Sequence, residues 1–163
     1  MCRWFVRRNV RAAFAALSRG EMSLLDTMAP DVHHAFPGRG ALGGERTTRD
    51  DVAAWLARLH RVLPGLQFQV RAVAVDGWPW HTTVGVEWTN EALLPDGSMY
   101  TNTGAHVLTL RNGKIVAFHA YLHDVEAIDD ALDRVAASGV GEAAAPAIVS
   151  SRGVPGPGPG WPE

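Results

Sequence analysis

Apolar residues recur at helical spacing near the N-terminus, where Phe5, Val6, Val10, Ala13, Phe14 and Leu17 share one stripe and Gly20 follows as a stop. The spacing predicts an amphipathic helix over 4–17. A shorter helix is expected over 21–28, ended by the bias that Pro30 imposes on the residue before it. Residues 31–36 read as a short strand leading into a Gly-rich loop, PGRGALGGERT. Thr48 with Asp51 three residues on has the spacing of a capping box. Val52, Trp55, Leu56, Leu59 and Leu63 then form one helical stripe until Pro64.

After Gly65 the period changes from 3.6 to 2. Leu66, Phe68 and Val70 alternate with Gln67, Gln69 and Arg71, and Val84, Val86 and Trp88 alternate with polar neighbours, so both segments read as half-buried strands. Pro95-Asp96-Gly97 is a turn, since Pro presets φ and Gly tolerates positive φ. A long strand is expected over 99–110 and a last one over 115–122. Asp124 caps a closing helix over 125–138 that Gly139 ends. The expected organisation is one domain over 4–139 and a flexible tail over 140–163, where SSRGVPGPGPGWPE is too rich in Pro and Gly to hold structure.

A chain of 163 residues with 47% hydrophobic and 20% charged residues builds one soluble domain with a real core. A net charge of −2 argues against a nucleic-acid partner, and Arg3, Arg7, Arg8 and Arg11 read as a solvated helix face. The single cysteine, Cys2, excludes an internal disulfide framework and a Cys-based zinc site, which fits a reducing cytoplasm. No apolar segment follows the N-terminal arginines and no run approaches the roughly 18 apolar residues of a membrane span, so neither export nor a membrane partner is expected.

Three histidines, His106, His119 and His123, lie in or just after the hairpin GAHVLTLRNGKIVAFHAYLHD, and its turn decides which of them share a face. A two-residue loop at Asn112-Gly113 pairs Leu110 with Ile115 and sets His106 opposite His119. A three-residue turn with a G1 bulge pairs Leu110 with Lys114 and sets His106 opposite Phe118. The bulged version is preferred, because it gathers His106, Leu108, Phe118, Ala120 and Leu122 on one apolar surface and turns His119 and Tyr121 outward.

The opening ALSRGEMSLLDTMAPDV, the hairpin RNGKIVAFHAYL and the order of elements resemble the nuclear transport factor 2-like superfamily, and within it the SnoaL-like proteins and ketosteroid isomerases, over roughly residues 6–137. The resemblance implies an α+β fold, a cone-shaped curved antiparallel β-sheet wrapped around N-terminal helices (a cystatin-like α+β barrel), with an apolar pocket at its wide end. It also implies a homodimer through the outer sheet face. A single sheet with one apolar face must in any case be covered by the amphipathic helices.

By position in its strand, His106 stands where the isomerases keep a protonated aspartic acid, and it is the candidate proton donor or acceptor. The place of the isomerases' catalytic tyrosine falls at Ala13 and that of their general base at Phe36, so steroid isomerisation by that mechanism is not expected; His34, on the same strand face as Phe36, is the candidate base. The acid that closes the sheet in SnoaL-type cyclases is displaced here to Asp124, after Tyr121-Leu122-His123, where capping a helix is its job. Phe14, Trp55, Trp88 and Phe118 are expected to wall the cavity, with Phe36, Leu59 and Leu122 completing its apolar lining. Asn90 and Asn102, like Tyr100, are candidate hydrogen-bonding groups for a ligand.

No metal site is expected, because the histidines share no face with a carboxylate, and His33 and His34 point to opposite sides of one strand. No cofactor is expected either. Two functions follow. One is cofactor-free acid–base catalysis, an isomerase, cyclase or hydratase step on a polyketide- or steroid-like molecule; the other is a non-catalytic ligand-binding or dimerisation module. An enzyme requires a dyad of titrating groups facing a cavity of roughly 300 Å³ or more.

Overall fold

The computed structural model describes residues 3–150, so residues 151–163 of the Pro/Gly-rich tail lie outside the described residues. Helix α1 (Arg3–Ser18) buries Val6, Val10, Phe14 and Leu17, the stripe that its spacing predicts. Helix α2 (Arg49–Val62) starts at Thr48, whose hydroxyl oxygen accepts the Asp51 N–H at 3.1 Å, and buries Val52, Trp55, Leu56, Leu59 and Val62. Helix α3 (Val125–Ala137) starts at Asp124, whose carboxylate accepts the Ala127 N–H at 2.9 Å.

The sheet contains β1 (Met28–Phe36), β2 (Gly44–Arg46), β3 (Gln67–Trp78), β4 (His81–Leu93), β5 (Met99–Arg111) and β6 (Lys114–Leu122), in the order β2-β1-β6-β5-β4-β3. Strands β3 to β6 form an antiparallel meander, as their period-2 patterns and tight turns require. The β1–β6 pairing is parallel, so the sheet is mixed where a fully antiparallel one was expected. No hairpin joins β1 to β6; the chain between them passes through α2 and the meander, which leaves their relative direction free of turn geometry. The helices cover the inner face, and the core runs from Val6 and Phe14 through Leu56 and Trp88 to Leu132 and Val135.

The helix expected over 21–28 is only a 3-10 turn, Ser23–Thr27, and β1 already begins at Met28. Pro30 therefore lies inside a strand rather than beyond a helix. It falls where the β1–β6 register slips: Met28 pairs with Ile115 and His33 with Ala117, so the missing N–H interrupts no ladder bond.

The β5–β6 turn corrects the preferred register. Arg111 pairs with Lys114 and Leu110 with Ile115 around a two-residue loop, with φ of 49° at Asn112 and 80° at Gly113, the left-handed pair that Asn-Gly supplies. A bulge then follows at Val116, and from Thr109↔Ala117 onward the pairing has slipped, so that His106 faces Ala120 and Leu108 faces Phe118. The slip restores the parity of the strand. His106, Leu108, Phe118 and Ala120 are buried on the inner face, and Tyr121 is exposed on the outer one.

Structure continues past Gly139, where a flexible tail was expected from residue 140. A second 3-10 helix, Gly141–Ala144, is held by a bidentate Arg61–Glu142 pair at 2.7 and 2.8 Å. The Pro146 carbonyl then accepts from Arg58 at 2.7 Å, and Ser150 hydrogen-bonds Thr47 and Asp51. Residues 141–150 form a strap over α2 and β2. Among the described residues no helix is long and apolar enough to cross a membrane.

Candidate functional site

Alternation in β4 and β5 puts Trp88, Asn90, Tyr100, Asn102 and His106 on the inner face. Trp88 pairs with Gly104, where a methyl would sit 2.9 Å from the indole ring, so this glycine leaves room for the indole to reach the diagonal neighbour His106. The Trp88 indole N–H donates to Nδ1 of His106 at 2.7 Å. In the neutral ring the proton therefore sits on Nε2. Burial among Trp88, Phe14 and Phe118 pushes the His106 pKa down from 6.5 to about 3, so the ring is neutral near pH 7.

Phe118 stacks against two histidines, His106 at 4.6 Å and His34 at 5.2 Å between ring centroids. His34 also meets the Trp55 ring edge at 4.5 Å, and neither of its ring nitrogens has a hydrogen-bond partner among the described residues. Burial, then the neighbouring Arg46 charge, hold its pKa well below the usual value. Arg46 faces His34 across the β1–β2 ladder, is fully buried and lies 5.4 Å over the Trp55 ring. Its guanidinium donates to the carbonyls of Leu42, Gly43 and Gly44 and so pins the Gly-rich loop, while burial lowers its pKa to about 10.

The space beside His106 is small. A cavity of about 20 Å³, water-sized, is bounded by His106, Trp88, Asn90, Tyr100, Trp55 and Phe36 among others. Burial raises the Tyr100 pKa to about 12, against the pull of Asn102 and Asn90, and Asn90 Oδ1 is buried without a partner among the described residues. Asn102 is occupied with structure: its side-chain amide donates to the Asp124 carbonyl at 2.6 Å, and its Oδ1 accepts the Thr103 and Asp124 N–H groups.

A larger chamber, about 180 Å³, lies between α1 and the β5–β6 hairpin. Val6, Val10, Phe14, Leu108, Ile115 and Phe118 dominate its wall, and among the described residues no titratable side chain contributes. Exposed Phe5, Asn9, Thr27 and Gly113 mark its rim. Phe118 is common to both cavities, and Phe14, on the chamber wall, touches the His106 ring edge-on at 5.4 Å. These two rings separate the chamber from the histidine.

A family model for the SnoaL-like domain matches residues 10–118. The chain belongs to the SnoaL-like domain family. No curated protein matches it. Its fold is similar to that of TerC, co-crystallised with polyporic acid, at 23% identity and a TM-score of 0.63, covering 76% of this chain and 95% of the other. It is also similar to an NTF2-like protein of unknown function from Burkholderia pseudomallei, at 21% identity and a TM-score of 0.66 over 79% and 95% of the two chains. A Caulobacter vibrioides protein with a cystatin-like fold matches at 13% identity and a TM-score of 0.57 over 77% and 92%. The SnoaL-like domain thus has an α+β cone fold, similar to that of NTF2-like and cystatin-like-fold proteins, as its hairpin and element order suggested.

Within the SnoaL-like domain, the residues singled out from sequence separate into groups. His106, Phe36, Trp55, Leu59, Trp88, Asn90 and Phe118 surround the small cavity. Phe14 and Phe118 line the chamber, Asn102 staples β5 to the start of α3, and Leu122 packs against the core around neither cavity. His34 touches Trp55 and Phe118 but borders neither cavity. Sequence reading missed Arg46, whose burial nothing in its polar neighbourhood announces. It also missed an outer-face chain in which His119 Nε2 lies 2.8 Å from His33 Nδ1, and His33 Nε2 lies 3.0 Å from Glu45 Oε2. No three His, Cys, Asp or Glu side chains among the described residues form a closed metal-ligand group.

Proposed function

We propose that this SnoaL-like domain binds a small apolar molecule in the chamber between α1 and the β5–β6 hairpin, without covalent chemistry. The observation that carries this reading is the chamber itself, about 180 Å³ of space walled by hydrocarbon with no titratable side chain among the described residues. An apolar cavity of about 150 Å³ stays dry and takes up benzene, so this chamber suits a single ring or a short alkyl chain. A steroid or a long polyketide needs the roughly 300 Å³ or more of a drug-sized pocket, which the chamber would reach only if Phe14 swung away from His106. In that event Nε2–H of the neutral His106 becomes a donor to a ligand carbonyl or hydroxyl. TerC, co-crystallised with polyporic acid, is a protein of this fold with an organic ligand, and this chain is read in the same way.

Acid–base catalysis by His106 and His34 is the second reading, favoured by two buried imidazoles stacked on one phenyl ring. Against it stand the water-sized space at His106, the engagement of its Nδ1 by Trp88, and the lack of a carboxylate around that space. For assembly, we read the outer sheet face as a contact with a second copy. Gly85, Ala105, Val107 and Ala117 make it flat and half-exposed beside Tyr121, which is 57% exposed, and sedimentation velocity tests this.

The deciding experiment is a thermal-shift and calorimetric screen with toluene, indole and a four-ring steroid against the wild type, Ala13→Leu and His106→Asn. One-ring probes are expected to stabilise the wild type and His106→Asn alike and to leave Ala13→Leu unaffected. A steroid that binds only when His106 is present would move the ligand from the chamber to the space beside His106.

A further inference from the structure

The outer face of the sheet carries a hydrogen-bonded chain that neither cavity uses. His33 lies on β1 and His119 on β6, neighbours through the parallel pairing in which Ala117 faces His33 and His119 faces Ala35. Both side chains point away from the helices, with rings 4.8 Å apart and perpendicular. Glu45, on β2, approaches His33 from the other side. The carboxylate can only accept, so His33 donates through Nε2 and presents the lone pair of Nδ1. That lone pair points at His119 Nε2, 2.8 Å away. In a single chain the His33 side chain keeps about a third of its surface exposed and that of Glu45 more than half, so in the monomer the group is open to solvent ions.

We propose that His33 Nδ1 and His119 Nε2 form a two-imidazole site for a divalent transition-metal cation of the Zn²⁺, Ni²⁺ or Cu²⁺ class, with Glu45 fixing His33 from behind. A metal-bound imidazole characteristically donates its second N–H to a carboxylate, and Glu45 already makes that contact. Imidazole nitrogen suits these cations, whose bonds to it are about 2.0–2.1 Å. Two such bonds at a tetrahedral angle separate the nitrogens by about 3.3 Å, so the pair must open by about half an ångström and both rings must turn toward the cation. Binding moves the His119 proton from Nε2 to Nδ1 through solvent, leaving both rings neutral and the proton count unchanged. Water fills the remaining coordination positions. The site is independent of the ligand chamber, which lies on the other face of the sheet.

The test is calorimetric titration of the full chain with Ni²⁺ and Cu²⁺ in a Cys2→Ser background, which removes the one thiol, with electron paramagnetic resonance of the Cu²⁺ form. One cation per chain is expected, with hyperfine coupling to two imidazole nitrogens and a rise in Tm that chelator reverses. His33→Gln and His119→Gln should each abolish binding, Glu45→Gln should keep the stoichiometry with about tenfold weaker affinity, and His106→Asn should bind as the wild type does. A wild type without coupled nitrogens, or full binding in His33→Gln or His119→Gln, overturns the site. His33→Ala and His119→Ala, which remove the rings without adding an amide, serve where a glutamine variant fails to fold.

Discussion

Trp88 donates its indole N–H to Nδ1 of His106 at 2.7 Å, and the two side chains form the one direct hydrogen bond between ring nitrogens on the inner face among the described residues. The bond has two buried ends, so removing either alone leaves an unpaired polar group. Trp88→Phe and His106→Leu should each destabilise the fold by about 1–3 kcal/mol beyond any loss of packing. The double variant should recover much of that, because both unpaired groups are then gone. Urea unfolding of the four proteins measures the coupling, and strictly additive losses would show that the bond contributes nothing.

Acid should weaken the fold well before carboxylates titrate. His106 stays neutral in the folded chain down to about pH 3, whereas in the unfolded chain it takes up a proton near its ordinary pKa of 6.5. Its folded pKa is depressed, so its contribution is complete above about pH 6.5 and falls as the solution is acidified, by about 1.4 kcal/mol per pH unit. Burial shifts His34 in the same direction, and the slope between about pH 6 and pH 5 should reflect more than one proton. The double variant Trp88→Phe/His106→Leu should lose one proton from that slope. An unchanged slope would assign the acid sensitivity to other groups.

His34 gives the opposite kind of variant. Both of its ring nitrogens are buried without partners among the described residues, and the ring sits between Trp55 and Phe118. Replacing it with leucine removes two desolvated polar atoms and keeps the volume, so His34→Leu should raise stability by about 1–3 kcal/mol. If His34 serves a ligand instead, the stabilised variant should lose a ligand-induced thermal shift that the wild type shows. A variant that is less stable than the wild type would point to a water or ligand satisfying the imidazole.

Local chemistry was legible where one residue's preference decides one feature. Thr48 and Asp124 cap the helices that their spacing predicts, Pro64 and Gly65 end the second, and Asn112-Gly113 takes the left-handed angles that its turn requires. Parity was legible too: the inner residues of β5 and β6 were identified although their partners were not. An error at the turn and the bulge at Val116 shift the pairing without exchanging faces. Non-local pairing was not legible. Nothing in the chain near Asp31 or Ile115 states that β1 lies parallel to β6, so the His33–His119 contact and the stacking of His34 on Phe118 could not be read. The burial of Arg46 depends on carbonyls of its own loop, which become acceptors only once Gly43 and Gly44 have folded around it. Shape was the last thing hidden. The sequence lists the aromatics of a cavity wall, but whether Phe14 fills the space beside His106 or lines it depends on a packing choice that spacing does not encode.

That choice is open to test at Ala13, which lines the chamber from α1. Leucine there adds three carbons to a space of about 180 Å³ without introducing a polar atom, and it keeps helical propensity. Filling apolar space gains about 0.8 kcal/mol per buried methylene, and strain from tight packing opposes it. Ala13→Leu should therefore be more stable than the wild type by about 1 kcal/mol while binding no one-ring probe. The two effects have one cause, occupation of the chamber by the protein's own side chain, and they should appear together. Ala13→Ser, which adds a hydroxyl and little volume, should lower affinity for apolar probes without removing it. If Ala13→Leu gains stability and still binds toluene at full affinity, the ligand sits elsewhere. The cavity at His106, enlarged by movement of Phe14, then becomes the site to probe.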